Sequence, residues 1–322
     1  MSQASSARPL LAPLVPVYKL ALALRELRLG SRLEPVRRLR LPVVSVGNLS
    51  AGGAGKTPLT IALAEALTRL GLSVDVLSRG YGRRSKAALR VDPNGSAEEF
   101  GDEPLLIARE AGVPVYVAAH RYEAGLQAEG AGLSSLHLLD DGFQHRQLHR
   151  EVNFLLLDGR DWNDGLLPAG NLREPLSAMR RADIIVIPAE DAALEASVKA
   201  SGWNGSIWKL RRRMEVAPVD GVVVAFCGIA RSGQFLGGLE TAGLRLAARI
   251  SFPDHHHYTA RDLERIRTAA KKAGAAAIVT TEKDRVRLGK LGESLGLKTA
   301  RLRVEIENEQ EAVDGLVKRL GF

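Results

Sequence analysis

One segment limits what this chain can fold into more than any other. The apolar run Val43-Val44-Ser45-Val46 breaks into Gly47-Asn48-Leu49-Ser50-Ala51-Gly52-Gly53-Ala54-Gly55-Lys56-Thr57-Pro58, after which apolar residues continue at helical spacing. Strand, glycine-rich turn and helix in that order make a phosphate-binding loop. The glycines let consecutive backbone N–H groups turn inward around an anion, a lysine reaches the terminal phosphates, and a threonine hydroxyl is placed for Mg²⁺. Gly52, Gly53, Ala54, Gly55, Lys56 and Thr57 are therefore the candidate nucleotide-binding residues. Ser50 stands where the G-x-x-x-x-G-K-[ST] pattern has its first glycine, which alters the opening turn and leaves the anion nest intact. Pro58 falls in the first helical turn, where its missing N–H is tolerated.

The rest of the chain fits that start. Strand-like runs at Pro42–Val46, Ser73–Leu77, Val113–Val117, Leu136–Leu139, Val152–Leu157 and Asp183–Ile187 alternate with helical patterns near Thr57–Leu70, Glu103–Ala111 and Arg121–Glu129. That rhythm predicts a parallel sheet with helices on both faces. A basic interval, Trp208–Glu215, reads as a linker or connecting ribbon. Beyond it the alternation repeats, with strands at Gly221–Phe226, Arg245–Ser251, Ala276–Thr280 and Thr299–Val304 and helices near Gln234–Ala242, Ala260–Ala273 and Gln310–Leu320. The expected fold is thus α/β, a P-loop parallel sheet flanked by helices with a second, smaller α/β lobe. A cleft between the lobes suits a two-substrate reaction.

Charge narrows the partners. With 45 Lys+Arg against 37 Asp+Glu the net charge is +8, and six of those eight charges fall in the first forty residues. Aromatics are 5% of the chain and do not interleave with basic residues as single-strand nucleic-acid platforms require, so no nucleic-acid partner is expected. The same first stretch carries Leu10–Tyr18 and Leu20–Leu24, too short and interrupted to span a bilayer. A helix over about Val17–Leu29 would place Val17, Leu20, Ala21, Leu24 and Leu27 on one stripe, with Lys19 and Glu26 opposite and Arg25 and Arg28 flanking it, positioned to reach lipid phosphates. An ordinary helix docked on the protein body is the other reading. The single cysteine, Cys227, excludes a disulfide framework and a cysteine-rich zinc site and points to a reducing compartment.

A phosphate loop needs a carboxylate at the end of a neighbouring strand, and Leu136–Asp141 supplies Asp140 and Asp141, at least one of them for Mg²⁺. Gly101-Asp102-Glu103-Pro104 opens an apolar helix. Its spacing fits a capping Asp with Pro in the first turn, and a catalytic Asp102 is the lesser reading on these residues alone. Phe252-Pro253-Asp254-His255-His256-His257-Tyr258 places three of seven histidines in one turn. Consecutive residues rarely all bind one ion. A single imidazole aimed into the cleft, orienting a carboxylate base or itself exchanging a proton, is the better reading.

Together these segments resemble the tetraacyldisaccharide 4′-kinase (lipid A 4′-kinase) family. The resemblance is carried by Ser45–Pro58, Leu77–Gly82 (LSRGYG), Gly101–Ala108 (GDEPLLIA), Leu139–His145 (LDDGFQH), Gly165–Pro175 (GLLPAGNLREP), Phe252–His255 (FPDH) and Val279–Asp284 (VTTEKD), in family order from about residue 45 to 285. It implies ATP- and Mg²⁺-dependent phosphorylation of the 4′-hydroxyl of a tetraacylated glucosamine disaccharide 1-phosphate, at the cytoplasmic face of the bacterial inner membrane, with no protein partner evident. It implies Asp102 and His255 as catalytic residues, Glu103, Asp140 and Asp141 with Thr57 at the metal, and Arg173, Glu174 and Arg121 at the lipid substrate. Residues 1–35 would be the membrane-associating helix on an anionic surface, 36–207 the P-loop kinase domain, 208–218 the ribbon or linker and 219–322 the smaller lobe. Where the family commonly has a glycine-rich AGI turn followed by Asn-Pro, this chain has Cys227-Gly228-Ile229-Ala230-Arg231-Ser232.

The alternative is a soluble P-loop NTPase coupling ATP hydrolysis to assembly or to nucleic-acid binding. The N-K-x-D pattern that reads guanine is missing, so a GTPase does not fit.

Overall fold

The computed structural model describes residues 8–31, 35–53 and 55–322; Ala54, one of the nucleotide-loop candidates, lies outside them. A 3-10 segment at Arg8–Leu14 leads into α1 (Val15–Gly30). The first lobe then runs β1 (Val43–Asn48), α2 (Lys56–Arg69), β2 (Val74–Ser78), β3 (Leu89–Arg90), α3 (Ala97–Phe100), α4 (Asp102–Glu110), β4 (Val115–Val117), α5 (Arg121–Ala131), β5 (Leu136–Asp140), β6 (Val152–Leu156), α6 (Gly159–Trp162), β7 (Ile184–Pro188) and α7 (Ala192–Ala200). β8 (Ser206–Glu215) leads to β9 (Val222–Cys227), α8 (Ser232–Thr241), β10 (Arg245–Ser251), α9 (Ala260–Lys272), β11 (Ala277–Thr281), α10 (Glu282–Leu288), β12 (Lys298–Ile306) and α11 (Glu309–Leu320).

Among the described residues the strands form one sheet in the order β10-β9-β11-β12-β8-β7-β6-β1-β5-β2-β4-β3. Neighbours run parallel except β12 with β8 and β3 with β4. β1 is buried along its whole length because β5 and β6 flank it and helices cover both faces. The apolar faces of β1, β2, β5 and β6 pack with Leu59, Leu63 and Leu67 of α2 and with Leu105 and Ile107 of α4 in one core. Val313 and Leu316 of α11 reach back into that core, so the chain's last helix packs on the first lobe. The second lobe has its own core around Phe226, Phe252, Tyr258 and Ile266.

The basic interval Trp208–Glu215 is most of strand β8, pairing in parallel with β7 and antiparallel with β12. Its buried Trp208 and Leu210 are two residues apart, the period of a strand. The run of arginines after them hid this alternation in the sequence.

The N-terminal helix forms where its periodicity predicts, and its apolar stripe faces outward. Leu10, Leu14, Val17, Leu20, Leu24 and Leu27 are exposed, whereas Tyr18, Leu22, Arg25 and Leu29 turn toward the body. The Tyr18 hydroxyl donates to the Arg173 carbonyl at 2.8 Å, and Arg146 pairs with Glu26 at 2.5 Å. Arg25 donates to the Gln144 carbonyl and lies 3.4 Å from Glu174. This corrects the reading of Arg25 as a lipid-facing residue: its guanidinium is one of the polar pins that dock α1, engaged by the Gln144 carbonyl and the buried Glu174 carboxylate.

Candidate active site

In open α/β sheets ligands bind beyond the carboxyl ends of the strands. Here the ends of β1, β2 and β5 from the first lobe meet those of β9, β10 and β11 from the second across a cavity of about 1030 Å³. Gly52, Gly53, Lys56, Thr57, Arg121, Asp140, Asp141, Glu103, His255 and Lys283 are among the residues that line it.

On the first-lobe side, Gly55 ends the loop with φ +94°, a left-handed conformation open to glycine at no steric cost, and α2 begins at once behind it. Asn48, at the end of β1, organises the loop. Its amide donates to the Ser50 carbonyl (2.9 Å) and Oγ (3.0 Å), and its Oδ1 accepts from Lys56 Nζ (3.0 Å) and from Arg173 (2.5 Å). Ser50 is not in the left-handed region, so the position does not call for glycine, and the bonds from Asn48 hold its side chain and carbonyl.

The two adjacent aspartates have opposite environments. Asp141 has φ +47°, a conformation costing a non-glycine residue roughly 1–2 kcal/mol. It is held there by Arg173, at 2.9 and 3.2 Å, and by Lys56 at 3.5 Å. Burial raises the pKa of its carboxyl, but these cations outweigh burial and hold it well below the usual range. Asp140 is fully buried, accepting from Thr60 at 3.3 Å and Ser78 at 3.5 Å. Burial, then Glu103 and Asp141, push it up to about 7. A buried carboxyl in surplus negative charge is the donor set a divalent cation would stabilise.

Where the lobes meet, α4 of the first packs against α10 of the second and brings Asp102 and Glu103 against Lys283 and Arg287. Arg287 lies 2.6 Å from Asp102 Oδ2, His255 Nδ1 3.2 Å and Lys283 Nζ 3.9 Å from the same oxygen, and Lys283 donates to Glu103 at 2.7 Å. Burial raises the Asp102 pKa, but His255, Lys283 and Arg287 together hold the carboxyl far below its ordinary value, so it is ionised across the neutral range. Gly101, with φ +90°, occupies the cap position of α4, and Asp102 is the first helical residue. Of the two readings of Asp102, the capping one is therefore set aside.

Behind this pair, fully buried Asp284 accepts from the Gly228 N–H (3.1 Å), the Tyr258 hydroxyl (2.8 Å) and the Thr281 hydroxyl (2.6 Å), and contacts Arg287 at 3.3 Å. Of the three consecutive histidines, His255 faces Asp102, and His256 stacks on Phe252 and bonds Asp262 at 3.1 Å. Among the described residues no three His, Cys, Asp or Glu side chains enclose a metal position.

A family model for tetraacyldisaccharide-1-P 4′-kinase matches residues 7–321. The chain belongs to that family. It is 41% identical over 318 residues to the tetraacyldisaccharide 4′-kinase of Koribacter versatilis, covering 95% of this chain and 97% of that one. It is 39% identical to the enzyme of the same name from Geobacter metallireducens, covering 89% and 90%. The fold matches the crystal structure of "apo" form LpxK from Aquifex aeolicus in complex with ATP, with a TM-score of 0.76 and 34% identity over 98% of this chain and 99% of that one.

The remaining family-implied positions are distributed unevenly. Arg121, at the start of α5, is buried and lines the cavity; its Nε has no partner, and burial with Arg79 nearby lowers its pKa to about 10 against the pull of Asp141 and Asp140. Arg173 is engaged with Asp141 and Asn48. Glu174 is buried between Arg25 and Arg181. Asn48, Lys283 and Arg287 were given no role by the sequence. Lys283 and Asp284 lie inside the VTTEKD segment, and Arg287 follows one helical turn later, on the same face. Cys227 is buried at the end of β9, and burial pushes its thiol up to about 12, as suits an inert apolar filler. Among the described residues no helix is long and apolar enough to cross a membrane.

Proposed function

We propose that this protein transfers the γ-phosphoryl group of ATP to the 4′-hydroxyl of a tetraacyldisaccharide 1-phosphate. The observation that carries the proposal is that the glycine loop with Lys56 and Thr57 lines the same cavity as His255, whose ring lies 3.2 Å from the buried, ionised Asp102. The backbone of Gly52–Thr57 and Lys56 bind the β and γ phosphates. Lys56 exchanges its bonds to Asn48 and Asp141 for phosphate oxygens. Mg²⁺ fits the Thr57 hydroxyl and the carboxylates of Asp140 and Asp141, with Glu103 alongside; when bound it neutralises charge on the transferring group. A P-loop magnesium takes one or two protein ligands and fills its shell with phosphate and water, so a cage of three carboxylates is not needed.

Asp102 and His255 receive the proton of the attacking hydroxyl. The transition state of phosphoryl transfer is loose, so the hydroxyl gives up its proton late and a weak base that is always ionised suffices. Arg121, with its unpartnered Nε, is assigned to the anionic head of the acceptor, and Arg173 and Glu174 hold α1 and the glycine loop beside it. The lobe of residues 36–207 holds the donor, and that of 219–322 brings Lys283, Arg287 and His255 over it from across the 208–218 ribbon.

The outward leucines of α1 support a membrane-surface location, which we place at the cytoplasmic face of the inner membrane. Full burial of one leucine is favourable by about 1.5–3 kcal/mol, and several such side chains with nearby arginines suffice for reversible binding to an anionic surface. Leu20→Glu, Leu24→Glu and Leu27→Glu together are expected to lower association with anionic liposomes at least tenfold, measured by co-sedimentation. Undiminished association would move the anchor elsewhere.

The function is tested by following ³²P from γ-labelled ATP into the tetraacyl disaccharide phosphate, with water as the competing acceptor. Label in the lipid is expected. Label released only as inorganic phosphate would favour an NTPase.

A further inference from the structure

The short loop after β9, Gly228–Arg231, touches both halves of the site. At its first residue, the Gly228 N–H donates to Asp284 and its carbonyl accepts from Arg287, the residue that grips Asp102. At its last two, Ala230 lies against the glycine loop, where a Cβ on Gly52 would come within 3.2 Å of the Ala230 Cβ, and Arg231 forms an ion pair with Asp158. Asp158 follows β6 by two residues and caps α6 in a capping box with Asp161, so the ion pair joins the second lobe to the first. The Arg231 and Asp158 side chains are 16% and 11% exposed, so their attraction is only partly screened by water.

We infer that Arg231 is a positioning residue: its ion pair with Asp158 fastens the second lobe to the first where Ala230 meets the glycine loop, and thereby sets where His255, Lys283 and Arg287 stand relative to Asp102 and the bound nucleotide. This rests on the kinase reading above. Lys56 and the loop amides grip the phosphates without Arg231, so its loss should leave nucleotide affinity in place and misplace His255, Lys283 and Arg287. A displacement of about 1 Å at a reacting centre can cost about a hundredfold in rate.

The test has two arms on the full-length protein. In the kinetic arm, Arg231→Ala is expected to lower kcat for lipid phosphorylation at least tenfold with KM for ATP changed less than threefold, while Arg231→Lys keeps at least a third of kcat. Asp158→Asn, which preserves the helix cap, should match Arg231→Ala, and the double variant should be no worse than the weaker single one. A rise in ATP KM at constant kcat would make Arg231 a direct nucleotide ligand and overturn the inference, as would multiplicative losses in the double variant.

In the second arm, amide hydrogen exchange of the unliganded protein should accelerate at least tenfold in Arg231→Ala, both in residues 228–235 and in residues 49–57. Acceleration confined to 228–235 would also overturn it. A wild-type protein that does not phosphorylate the lipid would sink the kinase reading, and the exchange arm would still decide the fastening.

Discussion

Lys56→Ala should abolish phosphoryl transfer while leaving the fold intact. Lys56 opens α2 and is mostly buried, yet its ammonium makes no contact with the apolar core; it lies 3.0 Å from Asn48 Oδ1 and 3.5 Å from Asp141. Its loss removes a cation from the pair of aspartates, and Arg173 still holds Asp141 at 2.9 Å, so the thermal midpoint should move by no more than a few degrees. Turnover depends on it in a different way. In phosphoryl transfer there is little covalent work for the protein to do, and charge neutralisation around the γ-phosphoryl group is most of the catalysis. Removing one such cation is expected to cost about a thousandfold or more in kcat/KM, measured as label transferred to the lipid. Activity within tenfold of wild type would refute the phosphate-loop assignment.

What was legible beforehand follows the range of the interactions. The glycine loop is specified by residues adjacent in sequence, and so are the period-two and helical runs, so the P-loop sheet and most of its elements could be placed from the chain alone. Asp140 could be placed because the end of a strand beside the loop is where a P-loop needs a carboxylate. The environment that separates Asp140 from Asp141 could not, because it depends on Glu103 and Arg173, contributed by distant segments that the fold brings in. The same holds for Arg287, which meets Asp102 from 185 positions away. Amphipathicity located α1 but left its orientation open, since an apolar stripe can face a core or a bilayer equally well. Three polar side chains bonded to the body, Tyr18, Arg25 and the exposed Glu26, decide it, and their partners Arg173, Glu174 and Arg146 lie over a hundred residues on.

Asp102→Asn is the sharper test of the chemistry. The substitution keeps shape and one acceptor oxygen, so the first turn of α4, where Glu103 N–H donates to Asp102 Oδ1 at 2.9 Å, can persist. It removes the charge that Arg287, Lys283 and His255 share. A positioned general base typically contributes 10²–10⁴-fold, so kcat should fall by about that factor. Lys56 is bonded to Asn48 and Asp141 and not to Asp102, so KM for ATP should stay within about threefold; a loss in kcat alone marks an interaction made in the transition state. His255→Gln should show the same split. Because the two residues act on one proton, Asp102→Asn combined with His255→Gln should be little worse than the worse single change, whereas independent roles would multiply the losses. An Asp102→Asn protein with unchanged kcat would remove this carboxylate from proton transfer. Arg287 and Lys283 beside it would then be understood as the catalytic charge itself, directed at the phosphoryl group.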